Sequence, residues 1–296
     1  MSEENALLRL KRYSSTCLVP VAALLAGACA QSPQTAPPGL APEVAQHFDA
    51  GWAQRAWWDD GLAEVATYEA ERVIYNKPRQ FEYTLITVKE DFNRQFNVKT
   101  DDYQRPDLFP VMKVNEFCRI PTDNYPYHFL TSLFFPREQP TALHKLTTSS
   151  QEWCGTTFKA VQAGSTGYQL TYNSYWDGQG EGTRPLPGAM LFEDALPYTL
   201  RSLRFDQPGA FNVPICELQQ TSKATPPVLY QARVQVEASA QELAQPAWQV
   251  TVQLDSAKTN TYWFAKAYPN LLLRQQTWDG RTLNLKSVRR YAYWQH

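Results

Sequence analysis

The chain has 296 residues, and its 28 Lys and Arg against 29 Asp and Glu give a formal net charge of −1 at pH 7. Because there is no basic excess, a nucleic-acid partner has no electrostatic support. A hydrophobic share of 43% excludes a disordered chain. The 9 Trp, 16 Tyr and 14 Phe residues favour strands and aromatic cores over helical bundles.

The N-terminal segment has the layout of a secretory signal. Arg9, Lys11 and Arg12 precede an apolar run at residues 17–28, which is shorter than the roughly 20 residues that a transmembrane helix needs. The small residues directly before Cys29 resemble the lipobox of bacterial lipoproteins, in which this cysteine is acylated, typically with palmitate, and becomes the first mature residue. In that class, a residue such as Ala30 after the cysteine implies the outer membrane, facing the periplasm.

Two other interpretations of residues 1–28 stay open. A different signal peptidase could cut after Ala28, since residues 26–28 also satisfy the small-x-small rule, and would release a soluble periplasmic protein. The segment could instead be an uncleaved, buried helix. Residues 29–43 contain four prolines and are predicted to form an extended tether, which at about 3.1 Å per residue reaches roughly 40 Å.

Residues 44–296 are predicted to form a single β-rich domain. Short apolar or alternating runs are separated by Gly, Pro, Asn and Asp, and the spacing leaves no room for crossover helices, so neighbouring strands are antiparallel. The expected fold is all-β, a single curved antiparallel sheet or half-barrel with one or two short covering helices. The predicted strand runs are residues 81–88, 111–118, 127–135, 143–148, 156–161, 168–176, 228–237, 248–254, 271–278 and 282–294.

Three further segments are ambiguous. Residues 61–75 have helix-compatible spacing but continue without a cap into a strand, so we predict a strand. Residues 191–203 are compatible with a helix that is broken at Pro197. Residues 47–58 are compatible with a short helix that covers one end of the sheet.

A Trp-Asp-Gly pattern, once with a second Asp, occurs at residues 58–61, 176–178 and 278–280. The Asp-Gly pair supplies positive φ for a tight turn, and the last copy lies between two strand runs, so it predicts a hairpin. The copies are too far apart for the regular repeat of a propeller.

The sharpest candidate for a site is residues 147–155. This segment places a thiol beside a carboxylate, an amide and hydroxyls, with His144 ten residues before Cys154, and a Cys/His pair can form a nucleophile. We predict instead a strand-turn-strand with a buried, structural Cys154, because no catalytic partner has a recognisable spacing. The candidate motif of unknown role comprises Ser150, Gln151, Glu152, Trp153, Cys154 and Gly155.

Neither a metal site nor a cofactor is predicted. The four histidines are isolated, and no HxH, HExxH or CxxC spacing occurs. Glu193 and Asp194 are adjacent, and on a strand they would point to opposite faces, which disfavours a carboxylate pair. Cys118, Cys154 and Cys216 either form at most one disulfide, in any pairing, or are buried free thiols.

Several segments resemble an uncharacterised family of bacterial lipoproteins whose members often carry the label "septum formation inhibitor". The matching residues are 57–68 with Arg72 and Tyr75, then 110–115, 148–155, 172–182 and 193–194, and the SSQEWCG sequence at 149–155 is the most specific. The family has no assigned activity, so the resemblance implies export and a β fold but no catalytic residue.

Residues 262–294 resemble, more distantly, the end of periplasmic half-barrel proteins similar to lipoprotein carriers, whose curved sheet surrounds an apolar hollow. Together these observations predict an exported, membrane-anchored lipoprotein that has no catalytic motif and binds an apolar or lipid ligand in the cell envelope. The alternatives are an envelope structural or interaction protein without a small-molecule ligand and, third, a Cys-dependent hydrolase.

Overall fold

The computed structural model describes residues 37–295, which are built around one large open, curved sheet. The predicted signal segment, Cys29 and most of the predicted tether lie outside the described residues. Between residues 37 and 295, no helix is both long and apolar enough to cross a membrane. The end of the predicted tether is not extended, because α1, Pro42–Ala45, forms one helical turn that begins at a proline.

The sheet has 16 strands and confirms the predicted all-β fold. Its strands pair antiparallel, apart from the parallel pair formed by β10 and β11. The spatial order is β10-β11-β12-β13-β14-β15-β16-β1-β2-β4-β5-β6-β7-β8-β9, with β3 paired to β2. The strands are β1 Ala63–Ile74, β2 Lys77–Asn93, β3 Val98–Lys99, β4 Leu108–Ile120, β5 Tyr127–Pro136, β6 Lys145–Glu152, β7 Gly155–Ala163, β8 Gly167–Ser174, β9 Glu181–Pro187, β10 Leu191–Phe192, β11 Ala210–Cys216, β12 Leu229–Ala238, β13 Ala247–Gln253, β14 Thr259–Ala265, β15 Leu272–Gln276 and β16 Thr282–Tyr291.

The structure resolves the ambiguous segments. Residues 61–75 contain β1, as predicted, at the centre of the sheet. Residues 47–58 form two separate 3-10 turns, Trp52–Gln54 and Ala56–Trp58, and not one helix. Both turns place a tryptophan in the core, Trp52 and Trp58, which are 2% and 1% exposed.

The segment predicted as a broken helix fills the concave face of the sheet. After β10 it forms a 3-10 turn, Glu193–Ala195, then α2, Leu196–Thr199, and a second 3-10 turn, Leu200–Ser202. Pro197 lies in the first turn of α2, where a proline is tolerated, so it helps to start the helix and does not break it. Every residue from 191 to 203 is buried, so this segment, which we call the inner segment, occupies the space that a half-barrel would leave open.

A buried ion pair fastens the inner segment to the central strand. Arg201 donates from Nη1 and Nη2 to the two carboxylate oxygens of Glu64 on β1, at 2.8 and 3.1 Å. Its Nε donates to the Pro269 carbonyl at 3.0 Å. The two charged side chains are 1% and 2% exposed, so the pair is bidentate and removed from water.

The two ends of the strands carry different features. The tips of the β1–β2, β4–β5, β6–β7, β8–β9 and β15–β16 connections lie together, since β1 runs antiparallel to both β2 and β16; we call this the cleft end. Its two Asp-Gly turns have Gly178 and Gly280 at φ values of 74° and 80°, and the hairpin predicted at residues 278–280 is confirmed. At the opposite end, Pro38 lies against Gly188 in the connection that follows β9.

Candidate functional site

A row of polar side chains crosses the concave face near the cleft end. Glu116, Thr131, Thr148 and Lys159 are aligned by the register of β4, β5, β6 and β7. Each is at most 3% exposed. Polar groups on a buried face need hydrogen-bond partners within the protein.

A loop that crosses the concave face supplies many of these partners. Residues 217–228 connect β11 to β12 on one side of the sheet, and they contact β5 and β7 on the other side. Lys159 Nζ donates to Thr221 Oγ1 at 3.0 Å and to the Lys223 carbonyl at 2.8 Å, while Gln220 Nε2 donates to Thr131 Oγ1 at 3.1 Å. This crossing loop therefore closes the concave face at the cleft end.

Two adjacent carboxylates hold the crossing loop from beneath. The backbone amides of Gln219 and Gln220 donate to Asp194 at 2.8 Å each, and that of Leu218 donates to Glu193 at 3.2 Å. The expectation that Glu193 and Asp194 point to opposite faces is wrong, because they lie in a 3-10 turn and not on a strand. Arg281 Nη2 also donates to Glu193, at 2.8 Å.

The inner segment, the crossing loop and the sheet enclose a small cleft. It has room for about 40 Å³, enough for a water molecule or one small polar group. A second, more open cleft of about 190 Å³ shares Arg72, Glu193, Leu218 and Arg281 with it. The apolar wall of the small cleft is formed by Phe81, Ile120, Pro197, Leu218, Tyr262 and Leu283.

Two buried oxygens that belong to residues lining the small cleft have no hydrogen-bond donor among the described residues. They are Glu116 Oε1 and Gln275 Oε1. Glu116 is 3% exposed and Gln275 is 6% exposed. The other oxygen of Glu116 accepts a hydrogen bond from the Tyr83 hydroxyl at 2.8 Å. An unsatisfied buried polar group costs roughly 1–3 kcal/mol, so these oxygens favour a hydrogen-bond donor in the cleft, either a water molecule or a ligand group.

The ionisable groups around the cleft are strongly perturbed. Burial, and then the charge of Asp194, raise the pKa of Glu116 to about 8. Burial raises the pKa of Asp194 to about 6, against the lowering effect of its backbone hydrogen bonds. Burial lowers the pKa of Lys159 to about 8. Near neutral pH, Glu116 is therefore mostly protonated and can both donate and accept a hydrogen bond.

The sequence-predicted motif lies at the cleft end but outside the small cleft. Ser150 is buried on the concave face of β6, whereas Trp153 and Cys154 form the two-residue turn between β6 and β7. The strand-turn-strand is confirmed, but the prediction of a buried Cys154 is wrong: the residue is exposed, 3.6 Å from the Tyr125 hydroxyl. A hairpin tip points its side chains into solvent, which the sequence pattern did not reveal.

The structure does not bring Cys154 and His144 together. His144 precedes β6 and Cys154 follows it, so the length of the strand, roughly 25 Å, separates them. His144 is 5% exposed and its Nε2 contacts Asn97 Oδ1 at 2.6 Å. Cys118, Cys154 and Cys216 are all free thiols, and Cys118 and Cys216 are buried. Between residues 37 and 295, no group of three or more His, Cys, Asp or Glu side chains is placed to hold a metal ion.

The cleft residues could not be identified from the sequence, because they come from distant parts of the chain. Glu116 and Lys159 are single charged residues within strand runs, and nothing nearby in sequence marks them as inward-facing. The one local signal was the Glu193-Asp194 pair. No protein-family model matches the chain, and no curated protein matches it significantly.

Proposed function

We propose that the protein is a lipid-anchored binding protein of the cell envelope and that its cleft binds a hydroxyl-bearing ligand. The anchoring is supported by the signal-like residues 1–28, the small residues before Cys29 and the proline-rich residues that follow. Binding is supported by a buried cluster of ionisable groups around a cleft, an arrangement that is typical of functional sites.

The observation that carries the proposal is the pair of oxygens, Glu116 Oε1 and Gln275 Oε1, that lack a donor. A hydroxyl group has one proton, so it can donate to Gln275 while it accepts from the protonated carboxyl of Glu116, whereas an ionised Glu116 would need a second hydroxyl as its donor. Satisfying these oxygens recovers part of the cost of burying them, which favours the bound state.

The lining also indicates the shape of the ligand. Polar acceptors face an apolar wall that includes Phe81 and Ile120, so a molecule with hydroxyls on its edge and C–H groups on its faces matches both sides. A sugar has this pattern, and since the small cleft admits only one small group, the rest of the sugar would lie in the adjoining cleft of about 190 Å³. The apolar or lipid ligand that the sequence predicts stays a prediction, and the charged lining favours the hydroxylated class over it.

A binding measurement tests the cleft. N-acetylglucosamine, its β-linked dimer, glucose and glycerol are titrated into the full chain in detergent by calorimetry, and at least one is expected to bind saturably. Replacing Gln275 by Leu removes an acceptor with little change in volume, so we expect about a tenfold loss of affinity or more, the equivalent of one hydrogen bond.

The matched control for that titration is Gln276→Leu, because the neighbouring side chain on β15 points to the other face of the sheet. It should bind like the unsubstituted protein. If none of the four compounds binds, or if a fluorescent fatty acid binds saturably and Gln275→Leu leaves that binding unchanged, the hydroxylated-ligand proposal is wrong.

A second measurement tests the anchor. Replacing Cys29 by Ser removes the sulfur that would carry the lipid in a lipoprotein of this class, so we expect the protein to leave the membrane fraction. Fractionation followed by mass spectrometry of the N-terminal peptide decides the matter. An unmodified Cys29 in the natural protein, or a first residue elsewhere, would contradict lipid attachment.

A further inference from the structure

Exposed and half-buried aromatic rings follow the tips of neighbouring hairpins at the cleft end. Tyr75 lies at the β1–β2 tip, Tyr125 in the β4–β5 connection, Trp153 at the β6–β7 tip and Tyr175 with Trp176 after β8. We call these five residues the aromatic rim. Tyr75, Trp153 and Tyr175 are 60%, 78% and 59% exposed, far more than large aromatic side chains usually are.

The rim is ordered by contacts between its rings. Tyr125 and Trp153 are stacked, with centroids 5.9 Å apart and an interplanar angle of 21°, so the other face of the indole is open to solvent. Tyr75 and Tyr125 both approach Tyr127, at 6.3 and 5.8 Å between centroids. These contacts hold the exposed rings in place before any partner arrives, which lowers the entropic cost of binding.

Gly155 is explained by the same surface. A Cβ atom at this position would lie 2.4 Å from the ring of Tyr175, so only glycine lets that ring pack over the β6–β7 hairpin. Trp153 and Gly155 of the candidate motif therefore have a role in shaping the rim.

Size and charge narrow the kind of partner. Eight neighbouring strands, from β1 to β9 without β3, underlie the rim, so at about 4.8 Å per strand it extends over roughly 30 Å. The nearby charges of Lys77 and Arg79 both pair with the single carboxylate of Asp123, at 2.9 and 2.8 Å, so this part of the rim keeps only one uncompensated positive charge. Polar groups alternate with the rings, including the Tyr75 hydroxyl and Glu152, whose Oε2 is buried without a donor.

We propose that the aromatic rim binds an extended, β-linked polysaccharide. The C–H faces of successive sugar rings stack on the open faces of Trp153 and Tyr175, and the hydroxyl edges meet the polar groups between the rings. Trp and Tyr also occur at membrane interfaces, and Val73, beside the β1–β2 tip, is an aliphatic side chain that is 46% exposed. The ordered stack of Tyr125 on Trp153 favours the flat face of a sugar ring over acyl chains, and vesicle binding is measured below as the competing outcome.

A series of side-chain contacts connects the rim to the small cleft. Tyr127 stacks on Phe129 with centroids 6.1 Å apart, and the guanidinium of Arg72, which lines the cleft, lies 5.1 Å from the Phe129 ring. This part of the inference rests on the proposed binding function: the rim would bind the chain of a glycan, and the cleft would bind one hydroxyl-bearing group of it.

Co-sedimentation tests this proposal. The full chain in detergent is mixed with insoluble chitin and, separately, with purified peptidoglycan sacculi, and the protein is expected in the pellet with at least one of them. Trp153→Ala and Tyr175→Ala should each weaken the apparent affinity by about two- to tenfold, because each removes one ring that stacks on a sugar. Circular dichroism of the variants should match the unsubstituted protein.

Trp294→Ala is the matched control, because Trp294 is a 46% exposed tryptophan outside the rim; it should sediment normally. The loss of sedimentation expected for Trp153→Ala does not depend on whether Gln275→Leu weakens binding in the cleft titration, so failure of the rim and failure of the cleft are measured separately. The proposal is overturned if neither polymer retains the protein or if Trp294→Ala loses as much affinity as Trp153→Ala. It is also overturned if Trp153→Ala abolishes binding to phosphatidylethanolamine–phosphatidylglycerol vesicles and leaves binding to both polymers unchanged.

Discussion

Replacing Glu64 by Ala is expected to lower the free energy of unfolding by about 3–5 kcal/mol, because it leaves the charge of Arg201 buried without a counter-charge. The guanidinium would keep only its hydrogen bond to the Pro269 carbonyl and its positions 5.1 and 5.6 Å from the Trp52 and Trp58 rings. Urea denaturation followed by tryptophan fluorescence measures the change, with a lower midpoint at an unchanged slope.

Two further variants test whether burial of the ion pair is the source of the lost stability. Lys286→Ala removes an ion pair with Glu82 in which both side chains are more than half exposed, and it should cost less than about 1 kcal/mol. The double variant Glu64→Leu with Arg201→Met replaces the buried pair by apolar side chains and should recover most of the loss. An equal loss for the exposed pair would mean that burial is not the source of the effect.

Most of the sheet could be predicted from the sequence. Alternation of inward and outward residues is local, so most strands of the antiparallel sheet could be predicted from their own residues. Two of the strands that were missed have weak local signals: β9 has two prolines and no buried residue, and β11 has a proline within it. A third, β14, was missed although its sequence is rich in Thr and aromatic residues. The sheet provides their hydrogen bonds, which the local pattern does not contain.

The inner segment shows the limit of local reasoning. Pro197 was predicted to break a helix, but the chain turns into a new helical turn just before it, so the proline lies where its missing N–H costs nothing. The same change of direction aims Glu193 and Asp194 at one loop. Whether two adjacent carboxylates diverge or converge depends on the backbone conformation, which in turn depends on tertiary packing.

One part of the candidate site could be predicted from the sequence and the other part could not. The motif around Trp153 and Cys154 was found from sequence because its residues are contiguous, although its thiol is exposed and not buried. The cleft was not found because Glu116, Lys159 and Gln275 lie on three strands that are far apart in sequence. Only the strand order places their side chains on one concave face.

The protonation of Glu116 gives the second large expected effect. Its pKa in the folded protein, about 8, is above its ordinary value of 4.5, so the folded state binds the proton more tightly than the unfolded state. This stabilisation is fully present below about pH 4.5 and is lost as the pH rises towards 8. Glu116→Gln mimics the protonated acid and does not ionise, so its stability relative to the unsubstituted protein should rise by about 3–4 kcal/mol between pH 5 and pH 8.

The groups that face Glu116 are Tyr83, Asp194 and Arg281, and they are unchanged in this comparison, so the gap between the two proteins reports Glu116 itself. Asp107→Asn is the control: the pKa of Asp107 is about 2 in the folded protein against an ordinary 3.8, and both values lie below the measured range, so its gap should stay constant. Urea unfolding at several pH values measures both gaps. A constant gap for Glu116→Gln would show that this carboxyl is ionised throughout, and the cleft would then require a ligand that only donates hydrogen bonds to it, whereas a protonated Glu116 fits a hydroxyl that does both.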